Sequence, residues 1–386
     1  MAIKNENFFE SQTASSRIKA NIVAEYFPQY ARILLSRNQR AIRYMDLFAG
    51  PGMYRDGNFS TPLLIAKACA DDPRLANKVQ LYFNDKYFSG ELEANFKEHF
   101  PLETFNFKPE FRGFTVGESE EIQKYLMKES TSVSNRYPTL LFVDPWGYKG
   151  IDTVALSKFL CHWGNEIFLF VNIKRINAAL ENEKFEDVLR YIFPTTFDGV
   201  KKDSRLEAIS VHERTSFILR HLADEFKKQL ALYVKDPLYH CSFKFQEEDS
   251  VATSHYIIHF CKHPKGFELI KQVYHDFDNI GATLVNSNTY TFDAKKMYEP
   301  AGTSFDFGDM NVAHLSDQLS REYQGLKINA KQVYDEHHTK YNFSVRHYLK
   351  ALRDMEEKGK IIAKFNDNVN RKVSVLLIKE CILEFK

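Results

Sequence analysis

The sequence predicts an α/β protein built on a mostly parallel, doubly wound sheet, followed by a small C-terminal domain. Three observations carry this. Apolar runs of strand length end at an acid or an asparagine: residues 42–48 enclose Asp46, residues 79–83 run into Asn84-Asp85, residues 139–143 into Asp144-Pro145, and residues 167–171 into Asn172. Helical stretches of about a dozen residues separate them, which sets strands parallel with helices on both faces. Beyond residue 311 the alternation gives way to three helical runs and two β-rich ones. A chain of 386 residues exceeds one small core, so two domains are expected.

Taken in order, residues 15–35 carry Ile18, Ile22, Val23, Tyr26, Phe27 and Tyr30 at helical spacing, with Ser15-Ser16 available as a cap. Residues 42–48 form the opening strand, and a helix over 61–69 follows a glycine turn. The second strand (79–83) precedes a helix over 88–100; a weaker third strand (111–116) precedes one over 118–127. The fourth strand, 139–143, is fully apolar; a helix over 153–163 and a fifth strand over 167–171 follow. Two long helical runs, 176–191 and 205–232, form an insertion over 174–235. Strands at 239–245 and 256–260 then pair antiparallel to close the sheet, and a helix covers 266–277. The first domain spans 1–280, a loop-like linker with several turn signals 281–310, and the second domain 311–386.

Composition excludes several classes. The formal net charge is +1, so no global field favours nucleic acid or an anionic membrane. No apolar run reaches spanning length, the N-terminus lacks signal-peptide shape, and the five cysteines are scattered without C-x-x-C, which together read as a cytoplasmic chain with reduced thiols. With 33 Phe and 20 Tyr, a lone aromatic says little about base stacking. No acid–histidine cluster has metal-ligand spacing, and His337-His338 and His259/His263 read as surface and sheet-edge residues.

The densest chemistry lies in Asp46-Leu-Phe48-Ala49-Gly50-Pro51-Gly52, a buried strand ending in an acid, then a tight turn. Its glycines allow close backbone approach and the next helix offers free N–H groups, which suits an adenosyl cofactor; a tight turn with no ligand is the alternative. Arg55 stands where a dinucleotide loop has its third glycine, which disfavours a pyrophosphate cradle. Asp85 closes the second strand, where a carboxylate meets ribose hydroxyls, or is an ordinary loop acid. Glu118 falls on the adenine side, or begins a solvated helix. At the fourth strand, Asp144-Pro145-Trp146-Gly-Tyr148 sets a carboxylate, a carbonyl and aromatics at the sheet mouth, where they orient an exocyclic amine and stack on a flat substrate; Asp144 as a helix cap is the alternative. Asn172 points to the same mouth. Lys174 and Arg175 pair with a substrate anion or are surface charges.

The combination Asp46-x-Phe-x-Gly50-x-Gly52, Asp85 and Asp144-Pro-Trp resembles class I S-adenosylmethionine-dependent methyltransferases. More closely, the chain is similar to the three-Cys-motif partner protein family (TcmP). The likeness rests on Lys19 and Tyr26 in the N-terminal helix, Asp46 through Tyr54, Asp56-Gly57, Pro62, Asp144-Pro-Trp-Gly-Tyr148 and the run from Tyr256 to Gly266. One departure is Phe59-Ser60-Thr61-Pro62, where the family reads Gly-Ser-Pro. The resemblance implies a Rossmann-like methyltransferase sheet with one antiparallel strand, S-adenosylmethionine as cofactor, and a three-cysteine, radical-SAM-like iron–sulfur protein as partner. Asp144-Pro-Trp is also similar to the motif of tRNA guanine N2-dimethyltransferases and, more loosely, to the Asp-Pro-Pro-Tyr of amino-methylating nucleic-acid enzymes. Two functions follow: an N-methyltransferase acting on an exocyclic amine, with a nucleobase as the expected acceptor, or a partner subunit that presents a ligand and transfers nothing.

The second domain reads as a winged helix. It holds 14 Lys+Arg against 10 Asp+Glu, so the basic excess is local. Arg346, Lys350 and Arg353 share one face of its third helix; Lys364, Arg371 and Lys372 flank the tip of a hairpin formed by 361–365 and 373–378. Such a module contacts nucleic acid or docks a protein.

Overall fold

The computed structural model describes residues 9–128, 137–146, 150–204, 211–246, 255–281, 284, 289–298, 308–365 and 381–386. Two compact units divide the chain: Met1–His240 with Phe245–Gly266, and Cys241–Lys244 with Phe267–Lys386.

In the first unit α1 (Ala14–Leu35) precedes β1 (Ile42–Asp46), α2 (Thr61–Ala70), α3 (Pro73–Lys78), β2 (Val79–Asn84), α4 (Ser89–His99), β3 (Glu110–Arg112), α5 (Glu120–Leu126), β4 (Thr139–Val143), α6 (Thr153–Leu160) and β5 (Glu166–Asn172). Four helices follow, α7 (Ile173–Leu180), α8 (Glu186–Ile192), α9 (Phe197–Ser204) and α10 (Val211–Ala231), then β6 (Tyr239–Gln246) and β7 (His255–Cys261). The strands run β3-β2-β1-β4-β5-β7, with β6 and β8 (Tyr290–Asp293) next in the sheet order. β1, β2, β3, β4 and β5 are parallel, and β7 is antiparallel to β5. This is a mixed α/β fold with a large, mostly parallel sheet.

Side-chain alternation along the strands fixes the two faces. Tyr44 and Phe168 point at α1, where they meet Phe27 and Tyr26 edge-on at 5.2 Å each. Met45, Leu141 and Leu169 point the other way, into a core with Leu156, Phe159 and Phe226 from α6 and α10. The order reverses between β1 and β4, and the crevice at the carboxyl ends of these strands is where open α/β sheets take ligands. Asp46 ends β1 in register with Phe83 and Phe142, one strand to either side.

Asn84 clamps this edge. Its amide donates to the Leu47 and Phe114 carbonyls at 3.0 and 3.1 Å, and its Oδ1 accepts from Phe114 N at 2.9 Å. Beside it the glycine turn takes positive φ at Gly50 (64°) and Gly52 (83°). A Cβ on Gly52 would lie 2.5 Å from Leu92 Cδ1 and 3.0 Å from Leu63 Cγ, so this glycine lets α2 and α4 close on the turn.

Several expectations are corrected. Thr13, not Ser15 or Ser16, caps α1, its hydroxyl accepting from Ser16 N. The helix expected over 176–191 breaks after Leu180, where Asn182 caps a new turn through Lys184 N; α9 was not foreseen. His259, His337 and His338 are buried, not surface or edge residues. β7 pairs with β5 from His255 to Phe260, and His259 Nε2 sits 3.0 Å from Glu166 Oε2. His337 Nδ1 bonds the Tyr348 hydroxyl at 2.6 Å, and His338 stacks on Tyr334. Only His263 of these four is exposed.

The second unit holds most of α11 (Pro264–Phe277) and β8, which falls in the stretch expected to be a linker. It continues with α12 (Gly308–Tyr323), β9 (Lys327–Asn329), α13 (Ala330–His337), α14 (Val345–Glu357), β10 (Ile361–Phe365) and β11 (Cys381–Phe385). The last three strands form an antiparallel sheet in the order β10-β11-β9. β10 therefore pairs with Cys381–Phe385; the expected partner run 373–378 lies outside the described residues.

The two kinds of glycine separate by substitution. Gly57→Ala meets positive φ but open space, and costs about 1–2 kcal/mol. Gly52→Ala adds a clash with the fully buried Leu92 and costs about 1–3 kcal/mol more, as urea unfolding of both variants measures.

Candidate functional site

A cavity of about 350 Å³ opens at the carboxyl ends of β1, β4 and β5, within the range of about 300–1,000 Å³ common for ligand pockets. The sheet contributes Asp46, Asp144 and Asn172; α1 contributes Ser15, Ser16 and, one turn on, Lys19, and the first turn of α2 contributes Thr61 and Pro62.

Asp46 is 1% exposed. Its Oδ1 accepts from Phe48 N at 3.0 Å and its Oδ2 from the Tyr44 hydroxyl at 3.4 Å. Burial pushes the carboxyl well above its ordinary range. The Asp144 and Asp85 charges add to this, while the Phe48 N–H and Lys19 act against it.

Asp144 is held by the Lys19 ammonium, which reaches its Oδ2 and lies 4.3 Å over the Phe170 ring. Burial pulls Lys19 down, but neighbouring charges, Asp144 first, outweigh it and leave the group above its usual value. Asn172 caps α7 through Arg175 N at 3.1 Å, and its Nδ2 donates to His255 Nε2 at 2.9 Å. That bond places the ring proton of a neutral His255 on Nδ1. Burial first, then Lys19, lower this imidazole to about 4, so it is neutral at physiological pH.

The remaining predicted residues divide. Phe48, Ala49, Gly50, Pro145, Trp146 and Arg175 line the cavity. Trp146 is 47% exposed and its carbonyl accepts from Arg175 Nη1. Pro51 and Gly52 face away from the cavity lining: the Pro51 carbonyl takes Asn95 Nδ2 at 2.8 Å, and Gly52 serves packing. Lys174 and Glu118 are exposed and outside the lining. Asp85 is buried and also outside it; its carboxylate accepts from the backbone N–H groups of Gly50, Tyr87 and Phe88 at 2.9–3.0 Å. Tyr148 and Arg371 lie outside the described residues. Arg346, Lys350 and Arg353 are exposed on one face of α14, with Arg346 paired to Asp276 at 2.5 Å.

Residues not assigned to the site from sequence also converge here. Phe9 sits against Tyr54, Phe88 and Trp146 at 5.6, 5.1 and 6.1 Å between ring centres. A Cβ on Gly50 would lie 3.0 Å from its ring. The Phe9 carbonyl accepts from Arg55 N at 2.8 Å, and Gln12 N donates to Asp56 Oδ2 at 2.9 Å, which ties this segment to the loop after the glycine turn. Phe9 lies ahead of the apolar spacing that marks α1, so hydrophobic patterning gives no signal for it. The Ser15–Lys19 spacing of one helical turn was the available signal for α1.

No family model matches the chain, and no curated protein matches it. Among solved structures the chain is similar to the plantazolicin methyltransferase BpumL, solved with a pentazolic desmethylPZN analog and SAH, at 12% identity and a TM-score of 0.32 over 67% of this chain and 89% of that one. A second BpumL structure, with a monoazolic analog and SAH, gives 11%, 0.31, 64% and 85%.

The charge state of Asp46 is testable. Its raised value means that the folded protein loses stability as pH rises above the ordinary 3.8 and the buried carboxyl is forced to ionise. Asp46→Asn therefore raises the urea midpoint at neutral pH, and the two proteins converge below pH 3.8.

Proposed function

We propose that this chain is an S-adenosylmethionine-dependent N-methyltransferase acting on an exocyclic amine. The observation that carries it is the pairing, across one cavity at the strand-order reversal, of buried Asp46 above the Gly50 turn with Asp144-Pro145-Trp146 at the end of β4. The resemblance to class I methyltransferases supports it, as does the reversed strand beside β5, which an all-parallel dinucleotide sheet lacks.

The site fits the cofactor by charge. Asp46 is a buried acid whose neighbours include two further acids and one ammonium, so the cavity accommodates the cationic sulfonium and amino groups of an adenosyl amino acid. Bound there, the cofactor supplies an electrophilic methyl group. The protein contributes position. Lys19 takes Asp144 Oδ2, which leaves Oδ1 to accept an N–H of the acceptor amine. Trp146 presents an aromatic surface at the rim, and Asn172 and His255 wall the far side.

A nucleobase in nucleic acid is the acceptor this reading favours. The second unit supports it through its order of helix, strand, two helices and two strands, that of a winged helix, and through the exposed cations of α14. The three-cysteine iron–sulfur partner rests on the family resemblance alone.

Calorimetry with S-adenosylhomocysteine tests the reading: binding is expected, and its absence overturns it. Asp144→Asn is expected to retain that binding and to lower transfer from labelled S-adenosylmethionine to RNA or DNA about 100-fold. Removing Lys350 and Arg353 together is expected to weaken nucleic-acid binding evenly across sequences, with a salt slope smaller by about 0.9 per lost phosphate contact.

A further inference from the structure

Among the described residues that line the cavity, the carboxylates are Asp46 and Asp144 and the side-chain cations are Lys19 and Arg175. The Lys19 ammonium sits on Asp144, and burial drives Asp46 toward its neutral form. Arg175 is left over. Its Nη1 donates to the Trp146 carbonyl and its backbone N–H to Asn172 Oδ1, and among the described residues no carboxylate stands within ion-pair distance of the guanidinium. A neutral carbonyl fixes that cation without cancelling it. Its field reaches the cavity wall, because burial first, then Lys19, Arg175 and Lys174, lower the His255 imidazole, with Asp144 acting the other way.

The guanidinium is held in place from both ends. Asn172 caps the eight-residue α7 through Arg175 N at 3.1 Å, and His255 fixes the Asn172 amide at 2.9 Å. At the other end, Nη1 ties the head of the side chain to the Asp144-Pro145-Trp146 run. Arginine carries five N–H donors in a rigid fork. With Nη1 engaged, the Nε–Nη2 edge keeps the geometry that meets a phosphate through two parallel bonds.

The neighbours say what carries the anion. Trp146 is exposed beside the guanidinium, and Phe170 stacks on His255 at 5.4 Å between ring centres and meets Phe245 at 6.1 Å. An isolated anion has no use for flat walls; one attached to a planar ring uses both.

We infer that Arg175 is a phosphate-binding, specificity-determining residue, and that the acceptor is a nucleotide unit whose base lies against Trp146 while its phosphate takes the Nε–Nη2 edge of the guanidinium. The inference rests on the methyl-transfer reading only in calling this side of the cavity the acceptor's. The phosphate belongs to a free nucleotide or to the phosphodiester of a strand. Since Arg175 also holds the Trp146 carbonyl, one side chain links the grip on the phosphate to the surface that takes the base.

The experiment titrates the full chain, at constant ionic strength, with the common ribonucleosides, their 5′-monophosphates and the matching dinucleoside monophosphates. S-adenosylhomocysteine is titrated separately. At least one phosphate-bearing probe is expected to bind more tightly than its nucleoside. Arg175→Gln weakens that probe about tenfold, as for a lost bond to a charged group, and Arg175→Lys restores part of the loss. Binding of nucleosides and of S-adenosylhomocysteine stays unchanged in both variants. Dependence on Arg175 among the monophosphates assigns the terminal phosphate of a free nucleotide; dependence confined to the dinucleoside monophosphates assigns a strand. If no phosphate-bearing probe outbinds its nucleoside, or if Arg175→Gln weakens nucleosides and phosphates alike, Arg175 only braces the Trp146 loop and the proposal is overturned. S-adenosylhomocysteine reports on the other reading: if it fails to bind while Arg175-dependent phosphate binding persists, the methyl donor is lost and the phosphate subsite stands.

Discussion

The mouth of the sheet depends on the ion pair between Lys19 and Asp144. Both side chains are largely buried, at 13% and 19% exposure, and each alone would be an expensive charge in this position. Together they tie the start of α1 to the end of β4. The other end of the helix is fixed at the opposite edge of the sheet, where the Tyr26 hydroxyl donates to Glu166 Oε2 at 2.5 Å and the Tyr30 hydroxyl to the Gly164 carbonyl at 2.7 Å. The twelve residues from Lys19 to Tyr30 span about 16 Å of helix, against about 20 Å for the seven residues of β5, so α1 crosses most of the sheet from mouth to foot. Its first turn is delivered to the cavity because polar anchors at both edges leave it one place to lie. Gly266 belongs to the same lock: a Cβ there would meet Glu166 Oε1 at 2.5 Å.

The cavity lining then holds two acids, Asp46 and Asp144, with the Lys19 ammonium on Asp144 and the Arg175 guanidinium on the Trp146 carbonyl. Lys19 stays above its usual value because Asp144, Tyr54 and Asp46 together outweigh its desolvation, while burial pushes Asp46 toward its neutral form. A cation placed beside Asp46 would favour its ionised form.

How much of this was legible in the sequence depends on the kind of signal. The strands announce themselves because β4, Thr-Leu-Leu-Phe-Val, is buried at every position and can only be interior. Acids at strand ends were equally plain, and Asp46 and Asp144 share the cavity as expected. The insertion was less legible, since 176–191 keeps apolar spacing across Glu181-Asn182 and only the Asn182 cap breaks it. Buried histidines misled because their partners, Glu166 and Tyr348, lie 93 and 11 residues away. Gly50 and Gly52 look alike in sequence, yet one faces the Phe9 ring and the other the side chains of Leu63 and Leu92. A motif gives backbone need; only packing says what causes it.

Asp85 shows how far the strand-end argument reaches. Its carboxylate already accepts three backbone N–H groups, from Gly50, Tyr87 and Phe88, and so holds the glycine turn to the end of β2. An ionised carboxylate has about four lone-pair sites, so one remains for a hydroxyl. Over the same Gly50 peptide lies the Phe9 ring, fenced by Tyr54, Phe88 and Trp146. A ligand that reaches from Asp46 to Asp85 must pass Gly50, and there it meets that ring. The segment carrying Phe9 is tied to the following loop through Arg55 N and Asp56, on the same stretch of chain as the glycine turn. The Phe9 ring therefore occupies the space over the Gly50 peptide, which Asp85 holds to the end of β2.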